Sequence, residues 1–446
     1  MSERNNVLFL VLDSLRKDKI SVYNEDVDFT PNFEEIAENS TVYTQASAQA
    51  PWTLPSTATI FTGKYPWEHG ATHKKIYLDT NGKTLAEKFQ EEGYNTQAIS
   101  PNTWISQSVG TVDGFDQVDN LIGLAGLAPF QKISGKITEL FTHIPEFVSQ
   151  KITYALDLFL EKFVDVCKSR DTVSSTKKFL GEVDEDDDFF LFVNLMSAHE
   201  PYEMGDPPEE YIDKHNVNKI EQVPDTEREY FHTDYDKEDM EKAYNAAVDY
   251  TDDLVGEINE SLKRNNLFDD TIVVIASDHG QAVGKDRVYG HQFTLMDRVI
   301  DTPLIISNPE TGSEQKSHLF ELRQLYKLIP YLAGIEDGKP RRLAEVKGSY
   351  EFPESFAGVI PNNLRDKFDR KLRYIKTEDR KITRSESRSG ETDYKITNRS
   401  GGKKIHEDTE LKKRVDNIEE ASSAEPGDNK IEDEEVKSRL EDLGYM

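Results

Sequence analysis

A doubly wound, mostly parallel α/β sheet flanked by helices, with a small C-terminal α+β part, is the fold class this sequence predicts. Three observations predict it. Apolar runs at residues 6–12, 189–196 and 271–276 have the length and the β-branched or aromatic content of strands buried on both faces. Amphipathic helical patterns lie between them, as in alternating α/β folds. The runs also lead into polar residues able to do chemistry, and open α/β sheets bind ligands beyond the carboxyl ends of their strands.

The first run, Asn6-Val7-Leu8-Phe9-Leu10-Val11-Leu12, is broken by Asp13. An Asp there points into the crevice, so Asp13 is a candidate metal ligand; a cap on the following turn is the plainer reading of such a residue taken alone. Residues 31–39 form a helix opened by Thr30 as cap, with Pro31 at the first helical position. Next comes Thr53-Leu54-Pro55-Ser56, followed by Thr62-Gly63, which puts a hydroxyl where a strand-to-helix turn aims it at a charged group. Residues 83–92 form a helix ended by Gly93.

Between 121 and 179, Ile133, Ile137, Leu140, Phe141, Ile144 and similar residues recur at helical spacings. Two or more amphipathic helices are expected, packed on the main domain rather than on a membrane surface, because basic residues are not gathered on one face. The run at 189–196 leads to His199-Glu200-Pro201-Tyr202, where Pro201 fixes the turn. A helix over about 238–264 carries the stripe Tyr244, Val248, Leu254, Val255, Ile258 and Leu262. The strand at 271–276 ends in Ser277-Asp278-His279-Gly280, and Gly280 lets the chain turn away at once. His291 follows in Gly290-His291-Gln292, before a strand at 303–306.

Two strand-end acids, an imidazole and a hydroxyl form a plausible one-metal set: Asp13, Thr53, Asp278 and His279. Carboxylate and imidazole together suit Mn²⁺, Zn²⁺ or Mg²⁺. Such a cation lowers the pKa of the Thr53 hydroxyl and creates a nucleophilic alkoxide.

In this order, with Leu85-Ala86-Glu87-Lys88-Phe89, Gly93-Tyr94-Asn95-Thr96, Gly114-Phe115-Asp116 and the closing 439–445, the chain resembles the sulfatase family of the alkaline phosphatase superfamily. The resemblance spans nearly the whole length except an insert at about 120–175. It implies an alkaline-phosphatase-like fold, a catalytic domain at 1–345 and a C-terminal subdomain at 346–446. It also implies an active-site role for His199 and His291, which bind the ester oxygens or protonate the leaving group. Departures matter as much. Sulfatases carry a Cys or Ser at the position of Thr53, oxidised to formylglycine, and an Arg at the position of Thr57; the only cysteine here is Cys167. The Lys and His that hold sulfate are replaced by Ser100-Pro101-Asn102-Thr103-Trp104, and the calcium-site Asp pair is reduced to Asp13-Ser14. Asp, Thr, Asp and His look instead like the set of manganese-dependent phosphoglycerol transferases and threonine-nucleophile phosphodiesterases of the superfamily. Phosphoryl chemistry is therefore preferred, with a strict sulfuric ester hydrolase or an inactive sulfatase-like binding protein as alternatives. One divalent ion is expected, Mn or Zn ahead of Mg or Ca, and a second ion is open, although no further carboxylate stands out.

Charge and length set the outer limits. Among 446 residues, 84 acidic against 54 basic give a formal −30, which excludes nucleic acid as a partner and suggests adaptation to high salt, as in a halophilic archaeon. The expected partner is an anionic ester of a small molecule, a glycan or a lipid headgroup. No apolar segment approaches the ~20 residues that span a bilayer. The start, Met1-Ser2-Glu3-Arg4, is unlike a secretory signal and predicts a cytoplasmic location. Residues 380–435 read as a flexible acidic stretch, although 373–376 and 394–396 alternate like strands, and 436–445 as a docking helix.

Overall fold

The computed structural model describes residues 4–79, 82–121, 169–184, 187–200, 202, 207–218, 236–285, 288–309, 312–354, 360–399 and 408–418. Cys167, the closing 436–445 and most of the 120–175 insert lie outside them.

Eight strands make the central sheet: β1 (Asn6–Leu12), β2 (Ser40–Tyr43), β3 (Asn95–Ser100), β4 (Gln117–Asn120), β5 (Phe189–Leu195), β6 (Thr271–Ala276), β7 (Leu304–Ser307) and β8 (Glu314–Lys316). Their order is β8-β2-β7-β6-β1-β5-β3-β4. Pairing is parallel throughout except at β7, which runs against both β6 and β2. The expected doubly wound, mostly parallel sheet is therefore the observed one.

The continuous apolar reading of β1 has a simple origin. Side chains alternate across a strand, so Leu8, Leu10 and Leu12 face one core while Val7, Phe9 and Val11 face the other. The first core is closed by the long helix Lys237–Arg264, whose predicted stripe from Tyr244 to Leu262 is buried. The second is closed partly by α2 (Thr53–Thr62) through Ile60 and Phe61.

One predicted cap is corrected. The helix α1 (Pro31–Ala37) begins after Thr30, but the Thr30 side chain does not cap it; its hydroxyl oxygen accepts from Ser21 N at 2.9 Å. Asp252, on the long helix, supplies the cap from across the structure, accepting from Phe33 N at 2.8 Å and from Asn32 N and Nδ2 at 2.9 and 2.8 Å. A carboxylate with two oxygens meets more of the orphan donors than one hydroxyl can. Asp252→Ala is expected to lower the unfolding free energy by about 1–3 kcal/mol in a urea melt, because the backbone donors of Asn32 and Phe33 lose their acceptor together, while Asn32 Nδ2 keeps Asp253.

The stretch expected to be flexible from 380 is also corrected in its first part. A four-stranded antiparallel sheet is built from β9 (Val346–Tyr350), β10 (Arg370–Lys376), β11 (Arg380–Ser387) and β12 (Thr392–Asn398). Few apolar residues suffice because they share one face: Ile375 and Ile382, with Tyr394 and Ile396, cover Leu411 and Val415 of the helix Thr409–Asp416. Charged residues elsewhere pair instead, as Arg370 does with Asp393 at 2.8 Å.

This small sheet braces the segment that delivers Thr53. Tyr374 OH donates to Ala48 O at 2.5 Å, Ser349 N donates to Gln49 O at 2.8 Å, and buried Lys376 binds Ser47 Oγ at 2.9 Å and also Asp301. None of the described helices is long and apolar enough to cross a membrane.

Candidate active site

Register alone brings the two acids together. β1 lies between β6 and β5, and Val11 pairs with Ala276; two residues further on, past both carboxyl ends, stand Asp13 and Asp278. His279 follows at once. Thr53 arrives from the opposite side as the first residue of α2, after Trp52 in extended conformation. The positive end of the helix dipole is thereby turned towards the acids.

Asp13, Asp278 and His279 are fully buried and Thr53 nearly so. Thr53 Oγ1 lies 3.4 Å from Asp13 Oδ2 and 3.5 Å from His279 Nε2. His279 Nε2 in turn lies 3.7 Å from Asp13 Oδ1 and 3.3 Å from Asp278 Oδ2. All four predicted ligands thus converge.

A cation fits between them, on three grounds. Ligands held at about 2.0–2.2 Å from one tetrahedral ion stand about 3.4 Å apart, the separation seen here. Asp278 Oδ2 is buried and has no hydrogen-bond partner among the described residues. The Nδ1 of His279 faces the Gly280 carbonyl at 3.0 Å, and because a carbonyl only accepts, the proton sits on Nδ1 and Nε2 turns its lone pair to the acids. Burial pushes the His279 pKa down, which keeps that lone pair available.

The carboxylates bear the cost of this arrangement. Burial first, and then the neighbouring Asp278, push Asp13 up; burial pushes Asp278 up to about 7. Neutralising them is what a divalent ion would do. Ser14, held at φ 60°, donates from Oγ to Asp13 Oδ1 at 3.2 Å and from its backbone N to Asp278 Oδ1 at 3.4 Å. Gly280 is needed for a different reason from the one expected: a Cβ there would stand 2.1 Å from the Arg298 carbonyl oxygen, so close approach rather than a reversed turn excludes a side chain.

His199 and His291 form a second group against the first. The His291 ring stacks on His279 with centroids 4.4 Å apart, and lies 5.1 Å from that of His199. Burial, with His279 and His199 adding to it, holds His291 well below the usual histidine range. Between the two histidines sits Glu200, and these three make a second group able to hold a metal ion, as Asp13, Asp278 and His279 do.

Three residues around the site escaped the sequence reading. Asn102, in the segment that replaces the sulfate-holding pair, donates to Asp13 Oδ2 at 2.7 Å. Gln281 binds the Glu200 carboxylate and the Tyr202 hydroxyl. Glu200 lay inside the quoted His-Glu-Pro-Tyr motif, and its signal was the carboxylate beside a strand-end histidine. His69 shapes its loop: its Nδ1 accepts from Ala71 N at 3.1 Å and its Nε2 meets Thr59 Oγ1 at 3.1 Å.

A family model described as Sulfatase matches residues 5–324. An ulvan-active sulfatase of Formosa agariphila is 23% identical over 336 residues, covering 75% of this chain and 62% of that protein. A second protein of that organism, named Sulfatase, is 23% identical over 376 residues, covering 75% of this chain and 70% of its own length. Among solved structures, a phosphonate monoester hydrolase from Silicibacter pomeroyi superposes with a TM-score of 0.64 at 16% identity, covering 93% of each chain, a likeness of fold.

Proposed function

Since the chain belongs to the sulfatase family of hydrolases, we propose that it cleaves or transfers a phosphate ester, with Thr53 as nucleophile and one divalent ion at Asp13, Thr53, Asp278 and His279. The observation that carries this reading is the meeting of the threonine hydroxyl with Asp13 Oδ2 at 3.4 Å and His279 Nε2 at 3.5 Å, the same nitrogen standing 3.3 Å from Asp278 Oδ2. In this reading Thr53 Oγ1 bonds to phosphorus and releases its proton to solvent, while the bond to the leaving oxygen breaks with its electron pair. His199 or His291 binds the ester oxygens or gives that leaving oxygen a proton. Water or a second alcohol then opens the phosphothreonine.

When bound, the cation supplies charge that makes the hydroxyl acidic and offsets the charge of the phosphoryl oxygens. A nitrogen donor, His279, favours Mn²⁺ or Zn²⁺ over Ca²⁺, which prefers an all-oxygen shell. The buried walls strengthen every charge interaction inside them. The substrate is an anionic ester of a small molecule, a glycan or a lipid headgroup.

Sulfate ester hydrolysis is the second reading, favoured by the relatives named sulfatases. Rates on nitrophenyl phosphate, a nitrophenyl phosphodiester and nitrophenyl sulfate, each with Mn²⁺, Zn²⁺, Mg²⁺ or Ca²⁺, separate the two. A higher kcat/KM for a phosphoester with Mn²⁺ or Zn²⁺ is expected; faster cleavage of the sulfate ester would overturn the preference.

A further inference from the structure

We infer that a second divalent cation is held beside the first by His199, Glu200 and His291, and that the pair of ions selects a phosphate ester. The inference rests on the ester-cleaving reading above and deepens it: the second ion takes over from His199 and His291 the contact with the ester oxygens, and the leaving oxygen takes its proton from water.

Spacing carries the argument. His199 Nδ1 stands 3.6 Å from Glu200 Oε2, and His291 Nδ1 stands 3.6 Å from Glu200 Oε1. One donor atom from each of the three residues lies within 4.8 Å of the others. These separations are too long for hydrogen bonds, which close at about 2.7–3.2 Å. They match instead the 3.3–3.7 Å spacing of the first group, and the roughly 3.4 Å expected of neighbours around one ion. His199 Nδ1 also contacts the Glu200 carbonyl oxygen, a hydrogen bond that ligation through this nitrogen would replace.

The surroundings suit a ligand set. Glu200 and His291 are buried and His199 is partly buried. Gln281 Nε2 donates to Glu200 Oε2 and to the Tyr202 hydroxyl at 3.2 Å, and Gln281 Oε1 lies 3.3 Å from His291 Nδ1. The Gln281 amide thus fixes the Glu200 carboxylate, the kind of support that orients a ligand, while its contact with His291 Nδ1 is one that ligation through that nitrogen would replace. Three protein ligands leave a coordination position open to an ester oxygen.

Charge then favours one substrate class. Asp13, Asp278 and Glu200 bring three negative charges against four from two divalent ions, so the centre is cationic. A phosphoryl dianion gains more from such a centre than a sulfate monoanion does.

The test counts metal. The full chain is stripped with a chelator, reloaded with Zn²⁺ or Mn²⁺, freed of excess ion and measured by plasma mass spectrometry. Two equivalents are expected for the wild type, and one each for Glu200→Gln and His291→Ala. Calorimetric titration is expected to show wild-type protein binding inorganic phosphate more tightly than sulfate, and His291→Ala losing most of that difference. One equivalent in the wild type, or two in both variants, overturns the inference. Circular dichroism checks folding; should the buried His291→Ala variant not fold, His199→Ala takes its place, and the wild-type count decides in either case. Because the count uses no substrate, two ions in a protein that cleaves no ester would leave this inference standing and sink the catalytic reading. One ion in an active esterase would do the reverse.

Discussion

Thr53→Ala is expected to lower kcat for the preferred ester by on the order of 10⁴-fold, the scale seen when a covalent nucleophile is removed. Ser56, one turn on, is not placed to take over, because it donates its Oγ to the Ala50 carbonyl at 3.0 Å. Thr53→Ser keeps an oxygen at the same position on α2 and is expected to retain activity, because only the methyl group is lost. Wild-type protein quenched during turnover is expected to carry a phosphoryl group on the peptide containing Thr53, and Thr53→Ala is expected to carry none. Equal turnover by wild type and Thr53→Ala would end the nucleophile assignment, and an unlabelled Thr53 with full activity would replace it with direct attack by water.

Much of this site was legible because its parts sit at strand and helix ends, where sequence patterns change. The run 6–12 and the run 271–276 each announce a buried strand, and the polar residues after them stand at the sheet's carboxyl edge as expected. Their adjacency was not legible. It depends on β6 crossing back to pair beside β1 over more than 250 residues, and no local pattern encodes that register. Glu200 was overlooked for a related reason. A lone acid in a polar loop reads as solvated, and only the approach of His291 and Gln281 from a distant segment makes it a buried group held between two histidines. The tail from 380 misled because composition was weighed over alternation: Ile382 and Ile396 pair across β11 and β12, and with Tyr394 and Ile375 they suffice to cover one helix. Thr30 was misjudged because a local cap rule cannot see a carboxylate arriving from residue 252.

Removing the cation is expected to destabilise the protein more at pH 8 than at pH 5, and the sign follows from the two facing acids. In the stripped protein, burial raises both Asp13 and Asp278, the latter from an ordinary 3.8 to about 7, and the charge of Asp278 adds to the rise of Asp13. Thr53, Asn102, His199 and His279, from four separate segments, also face this pair, and their effect is already part of those directions. The folded chain then holds a proton that the unfolded chain releases. The contribution of these two groups to the stability of the stripped form is therefore fully present below the ordinary carboxylate range and falls as pH rises towards 7, by on the order of a few kcal/mol. A bound cation reverses this preference, since it holds the carboxylates ionised and is itself displaced by protons at low pH. The chelator-induced drop in Tm is thus expected to be several degrees at pH 8 and to shrink towards pH 5. Asp278→Asn removes one of the two charges and is expected to flatten the pH dependence of the chelator-induced drop in Tm, leaving the smaller shift that comes from the ion at His199, Glu200 and His291. Taking the difference between loaded and stripped protein at each pH cancels titrating groups elsewhere in the chain. A Tm drop of the same size at every pH would mean that Asp13 and Asp278 do not share an ion.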